Sequence, residues 1–408
     1  MASFEMRCIE CGREHDIGKP SYACSTCGNL LELRLDRAGA ERRLSKSDLG
    51  KRPLSVWRYR ELIPVGEKAQ IYSLKEGGTP LIRCERTAES IGLKHLWVKF
   101  DGTNPTGSFK DRGMTVGITK AKELGMKAVI CASTGNTSAS LAAYAGLAGL
   151  RCVVLIPEGK VALGKLAQAM MHGATVVSVK GNFDQALEMV MGASEELGMY
   201  VLNSVNPFRI EGQKTAAYEI CDQMNGYPDV LYIPVGNGGN SAAYWKGFAE
   251  YESLGQVSGH PAIRGVQAEG SAPVARMFEK NDSQYVPVKK PDTIATAIRI
   301  GNPANWKKTV RAVRESGGTV FTVSDEEILS AQRQLASKEG VFAEPAGAAA
   351  LAGLIKDVEL GRIDRSSRVV CVSTGHGLKD PDIAISQCSK PKTIEPTMAA
   401  LKGILEGG

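Results

Sequence analysis

The chain has 408 residues, long for one domain, so two compact bodies and an appendage are expected. Its 43% apolar and 23% charged residues are those of a soluble globular protein. A formal charge of +6, scattered rather than striped, argues against a nucleic-acid binder, and the most apolar stretch, Ala139 to Pro157, is broken by Arg151 and several glycines, which argues against a membrane span.

Residues 1–38 read as a separate unit. Cys8-x-x-Cys11 and Cys24-x-x-Cys27 are two knuckles, each ending in glycine (Gly12, Gly28), which lets backbone amides turn toward sulfur. Two such pairs complete a closed tetrahedral site, so Cys8, Cys11, Cys24 and Cys27 are expected to hold a structural zinc ion. His15 is then a surface residue. The opening MASFEMRCIECG shows no basic segment followed by an apolar one, so a cytoplasmic protein is expected, in keeping with six further scattered cysteines.

Residues 39–75 read as a connecting segment. From about residue 76 helices and strands alternate. The pattern predicts a helix over 116–125, a strand over 128–133 and a helix from about Ser138. A strand over 151–157, a helix over 163–172, a strand over 175–181, a helix over 183–197 and a strand over 199–205 follow. Then come a helix over 213–224, a strand over 229–236, a helix, a strand over 263–270, helices over 325–339 and 346–360, and a strand over 368–375. Apolar runs without alternation imply strands covered on both faces, hence parallel sheets with crossover helices. The expected fold class is α/β, two doubly wound open sheets in bodies spanning 76–208 and 209–395, with a tail over 396–408.

Ligands of such sheets sit at the carboxyl ends of strands. Those ends read CASTGNTSAS, NSVNPFR, PVGNGGNSA and VSTGHG, all rich in small polar residues. Gly236 to Asn240 (GNGGN) lies between a strand and a helix, where curled backbone amides can face one anion. It matches neither G-x-G-x-x-G nor a Walker A loop, which argues against dinucleotides and nucleoside triphosphates. Lys110, in GTNPTGSFKDRG, follows a Gly/Pro/Ser loop, opens a helix and adjoins Phe109. Burial and positive potential there lower its pKa, as Schiff-base chemistry requires. A phosphate cup with such a lysine points to pyridoxal phosphate. Asp111 and Arg112 are expected to form a local structural pair.

The segments NPTGSFKDRGM, ASTGNTS, VALGKLAQ, NSVNPFRIEGQKT, PVGNGGN, ATAIRIGNPANW, EPAGAAALAG and TGHGLKDPD together resemble the threonine synthases, pyridoxal-phosphate enzymes of fold type II, from about Tyr72 to Leu401. The resemblance implies that the cofactor lies between the two sheets. It makes Lys110 the Schiff-base lysine, Asn136 the partner of the phenolic oxygen, and Gly236, Asn237, Gly238, Gly239 and Asn240 the phosphate cup. Thr374 would face the ring nitrogen. Ser133, Thr134 and Thr137 would hold the substrate's α-carboxylate and nearby groups. Asn203, Ser204 and Arg209 would hold its phosphate, with Lys214 able to assist; an arginine fork with amide and hydroxyl donors suits those oxygens. The implied reaction is elimination of phosphate from O-phospho-L-homoserine and addition of water to give L-threonine.

Three alternatives stay open. A threonine or serine dehydratase needs no substrate phosphate site, and Arg209 speaks against it. A cysteate synthase, acting on O-phosphoserine and sulfite, would want that arginine too. A zinc-ribbon nucleic-acid or adaptor protein with an inactive enzyme body would want a basic ribbon. Here Arg7, Arg13, Lys19 and Arg34 are balanced by Glu5, Glu10, Glu14, Asp16 and Glu32. Glu344, in FAEPAG, sits at an expected site wall as either a substrate contact or a fold support. A homodimer, with no nucleic-acid or membrane partner, is the family expectation.

Overall fold

The strand-to-helix alternation builds two separate parallel sheets, seen in a computed structural model that describes residues 4–44, 49–158, 163–181, 183–280 and 284–406. Val161 and Ala162 of the VALGKLAQ segment lie outside the described residues. The smaller sheet has four parallel strands in the order Thr175–Val179, Arg151–Pro157, Ala128–Ala132, Tyr200–Val201. The larger has six, in the order Thr319–Val323, Ala262–Ala268, Val230–Pro234, Arg368–Ser373, His95–Phe100, Leu81–Arg83. All run parallel except the edge strand Leu81–Arg83, which pairs antiparallel with His95–Phe100. Every residue of Val230–Pro234 is buried, as a strand covered by helices on both faces must be.

The strand pairing does not follow the boundary drawn at residue 208. Leu81–Arg83 and His95–Phe100 precede the small sheet in sequence yet are hydrogen-bonded into the large one. Lys99 hides this strand by interrupting an apolar run. Its amine is fully buried and bonds to Glu219 Oε2 and to the Thr79 carbonyl, each at 2.8 Å. Arg112 joins the same network, reaching Asp101 at 2.9 Å and Glu219 at 2.7 Å. Two cations and two carboxylates are thus balanced beneath the helix that opens at Lys110, which makes their burial tolerable. Asp111 and Arg112 are therefore not the pair expected of them. Asp111 turns the other way, accepting from the Thr106 amide at 2.7 Å and the Ser140 hydroxyl at 2.6 Å.

Two other elements differ from expectation. The strand expected over 199–205 is confined to Tyr200–Val201, although the Leu202 amide still reaches the Ile130 carbonyl. Beyond it the Asn203 side chain replaces backbone pairing, accepting from Ala132 N–H at 3.0 Å and donating to Ala132 O at 2.9 Å. The chain then turns at Asn206, whose side chain caps a helix over Pro207–Gln213, and a second helix spans Thr215–Met224. The helix expected from Val116 begins at Lys110 and runs to Glu123. It crosses Pro207–Gln213 at glycine: a Cβ on Gly212 would stand 1.8 Å from the Arg112 carbonyl oxygen. Only glycine permits that approach, and it brings Lys110 and Arg209 to one place.

The N-terminal unit is a three-stranded antiparallel ribbon, with Phe4–Cys8 between Glu14–His15 and Leu31–Leu35. Its Met6, Cys8, Cys24, Leu31 and Leu33 share a core with Val116 and Phe208. The ribbon grips both bodies. Tyr22 Oη accepts from the Val201 amide of the small sheet at 2.8 Å. On the other side, Lys307 bonds Glu10 at 2.7 Å and Lys308 bonds the Leu31 carbonyl at 2.8 Å, both from a helix over Trp306–Glu315.

Candidate active site

The expected polar turns meet at one cavity between the sheets. Lys110, Asn136, Ser204, Arg209, Gly236 to Asn240 and Thr374 line it, together with Phe109, Ile210, Gln213, Pro234, Ala297, Ile298 and Ala346. Hydrogen bonds lock the lysine loop in place: the Phe109 amide bonds the Thr374 carbonyl at 2.9 Å, and Ser108 bridges Gly375. The next layer is Glu344, whose amide bonds the Gly375 carbonyl at 2.9 Å.

Lys110 is half-buried because it lines the cavity, and its amine lies 4.1 Å from the centre of the Phe109 ring. Desolvation, with the nearby Arg209 cation adding to it and Glu344 opposing, lowers its pKa to about 7. Arg209 is 2% exposed, and burial lowers its own pKa to about 10. Its Nε has no hydrogen-bond partner. Nor, among the described residues, does it take part in an ion pair.

The Gly236–Asn240 turn leads into the helix Gly239–Ser253, so backbone amides and the helix N-terminus face the cavity. Gly238 takes φ of +81°, and a Cβ there would stand 2.2 Å from Thr309 Oγ1. Asn305 fastens the turn: its amide bonds the Asn237 carbonyl and its side chain the Ser204 carbonyl, each at 2.9 Å. Sequence reading missed Asn305, although GNPANW showed a turn before a helix. Asn240 is 8% exposed and neither atom of its amide group has a partner.

Not every expected residue reaches this space. Ser133 and Thr134 sit on the turn between the strand Ala128–Ala132 and the helix Asn136–Leu147, and Thr137 in the first turn of that helix, all three outside the cavity lining. Asn203 also lies outside the lining, its amide engaged with Ala132. Lys214 is withdrawn altogether: it is fully buried and pairs with Glu211 at 2.6 Å and Glu250 at 2.8 Å. The four ribbon cysteines do converge, with sulfurs mutually within 4.8 Å, and Cys8 and Cys27 3.5 Å apart. Amides of Glu10 and Thr26 point at sulfur, each at 3.4 Å. His15 is half-buried rather than at the surface.

A family model described as pyridoxal-phosphate dependent enzyme matches residues 72–375. The chain is 55% identical to a threonine synthase of Methanocaldococcus jannaschii, over 98% of this chain and 99% of that protein. It is 50% identical to a threonine synthase of Methanosarcina acetivorans over 99% of both chains. This chain belongs to the threonine synthase family. It is thereby an enzyme of the pyridoxal-phosphate-dependent lyases, and its two-sheet body is of fold type II. The shared fold extends to maize serine racemase, with a TM-score of 0.64 at 22% identity over 76% of this chain and 91% of that one.

The cavity fits the family's cofactor on its own chemistry. It holds a lysine amine of low pKa for an aldehyde and a glycine turn at a helix N-terminus for a phosphate. Unpartnered buried groups, the amide of Asn240 and Nε of Arg209, are left to receive polar ligand atoms.

Proposed function

We propose that this chain converts O-phospho-L-homoserine and water to L-threonine and phosphate, with pyridoxal phosphate held between the two sheets. Gly236, Asn237, Gly238, Gly239 and Asn240 would hold the cofactor's phosphate, Asn136 its phenolic oxygen, Thr374 its ring nitrogen and Lys110 its aldehyde. When bound, the cofactor supplies a conjugated ring that takes up the electron pair released at the substrate's Cα. A hydroxyl at the ring nitrogen makes that uptake milder than a carboxylate would.

Lys110 does two jobs. When not bonded to the cofactor, its amine, with a pKa of about 7, would remove the proton from the substrate's Cα and then one from Cβ. Arg209 and the Ser204 hydroxyl hold the phosphate as it leaves Cγ. Water adds at Cβ, and Lys110 returns protons to the carbon skeleton. Ser133 and Thr134 on the turn, and Thr137 at the start of the helix behind it, serve the α-carboxylate. Packing around Lys110 keeps stray water from the reacting carbons.

Arg209 carries this reading. A guanidinium buried without a carboxylate partner is costly, and a phosphorylated substrate supplies the missing charge. A dehydratase substrate would not. Phosphate release from O-phosphohomoserine, compared with O-phosphoserine plus sulfite, is the test. Release from the first substrate with threonine as product supports the proposal; turnover only of the second, or only of unphosphorylated threonine or serine, refutes it.

The ribbon is proposed to hold zinc. Four thiolates around zinc at ~2.3 Å stand ~3.8 Å apart at the tetrahedron's edges. The Cys8–Cys27 and Cys11–Cys24 sulfur separations of 3.5 and 3.6 Å agree with that cage. None of the ten cysteines is in a disulfide, which fits a cytoplasmic setting. Among the described residues no helix is long and apolar enough to cross a membrane. A homodimer is the family's expected state, and sedimentation would check it.

A further inference from the structure

Glu344 stands behind the cavity lining, against Asn136 and Thr374. It is 3% exposed and opens the helix Pro345–Glu359. One carboxyl oxygen accepts from Asn136 Nδ2 at 2.9 Å, and the other lies 3.1 Å from the Thr374 hydroxyl. A single carboxyl group therefore touches both side chains assigned to the cofactor's ring. The backbone enforces the arrangement. Ala343 bridges His376, and a Cβ on Gly375 would stand 2.6 Å from the Glu344 carboxyl.

A threonine hydroxyl has one proton and can aim it in one direction. Were Glu344 ionised, that proton would be drawn to the carboxylate, leaving only lone pairs for the ring nitrogen. Were Glu344 neutral, its own proton would go to the Thr374 oxygen, freeing the Thr374 O–H for the ring. Burial raises the Glu344 pKa, against the hydrogen bonds from Asn136 and Thr374. Lys379 favours the anion and Asp380 opposes it. The Lys379 amine is itself engaged with the Thr106 carbonyl at 3.1 Å and Gln168 at 2.6 Å.

We propose that Glu344 is a positioning residue: as a neutral acid it donates to Thr374 and accepts from Asn136, so that the Thr374 hydroxyl donates to the cofactor's ring nitrogen and keeps it unprotonated. This rests on the cofactor reading of the cavity and adds the group that sets the ring's charge. Glutamine copies a neutral acid's pattern, with one N–H for Thr374 and a carbonyl for Asn136, but cannot ionise.

The test uses holoprotein carrying cofactor labelled with nitrogen-15 in the ring, read by nitrogen NMR and by visible absorbance. Wild type and Glu344→Gln should both show the unprotonated ring nitrogen and the same band, with kcat within about threefold, less than one hydrogen bond's worth of free energy. Glu344→Ala should keep KM but lower kcat by about tenfold, the loss of one hydrogen bond, with a displaced nitrogen signal. A protonated ring nitrogen in wild type overturns the proposal whatever the variants do. So does a Glu344→Gln holoprotein whose nitrogen signal moves, since that change removes only the capacity to ionise. If wild type fails to retain the cofactor, or Lys110→Ala retains it with an unchanged band, the reading of the cavity falls first and this inference with it.

Discussion

Replacing Arg209 by methionine should move activity and stability in opposite directions. The guanidinium is 2% exposed and its pKa falls from 12.5 to about 10 on burial. A shift of that size corresponds to about 3 kcal/mol of charge-burial cost. Methionine removes the cost and keeps much of the volume, so the cofactor-free protein should unfold at a higher temperature. Substrate phosphate loses a charged fork. Each bond to a charged group is worth about 1.5–3 kcal/mol, so two lost bonds, partly replaced by water, should lower kcat/KM by ~10²–10³-fold. Burial is the main cause of the depressed Lys110 pKa and Arg209 adds to it, so without Arg209 that pKa should rise only in part. Phosphate release at varied O-phosphohomoserine, thermal unfolding of cofactor-free protein and cofactor titration measure these effects. A variant that unfolds earlier and loses cofactor and substrate affinity alike would show that Arg209 is structural, and would refute the argument from its unpartnered charge.

Acid should destabilise the fold through Glu219. Burial works against its charge, but Arg112 and Lys99 outweigh burial and hold its pKa well below the ordinary 4.5. A depressed carboxylate contributes stability above its unfolded pKa and loses it as pH falls below that. Asp111 acts with the opposite sign: burial raises its pKa to about 6, so its contribution grows as pH falls from about 6 toward 3.8. Urea unfolding across pH should show the Glu219 loss below about 4.5, and Glu219→Gln should cost about 3–5 kcal/mol at neutral pH while flattening that limb. An acid limb unchanged in the variant would contradict this. Removing metal from the ribbon with a chelator should release one ion per chain and lower thermal stability, because the knuckles brace both Val201 and the Trp306–Glu315 helix. Metal content below that ratio in freshly purified protein would remove the zinc assignment.

The lysine, the glycine turn and the polar strand ends were legible because their composition is wrong for ordinary turns. Their convergence followed from one rule about parallel sheets. Side chains that serve the interior were not legible. Lys99 sits in a strand because buried Glu219 balances it, and that partner is 120 residues away. Asn203 and Lys214 carry groups suited to phosphate, yet one repairs a strand edge and the other joins a buried ion cluster. The large sheet also borrows strands from both sides of the small one, which no local pattern announces. Glu344 was visible as a wall residue, but its bonds to Asn136 and Thr374 depend on a contact across 208 residues.

The lysine assignment is tested most directly by chemistry. Holoprotein treated with borohydride, digested and examined by mass spectrometry should carry the reduced cofactor on the peptide containing Lys110, with the visible band lost on reduction. Cofactor found on Lys99, Lys214 or Lys379 instead, or a Lys110→Ala protein that still takes the label, would contradict the account.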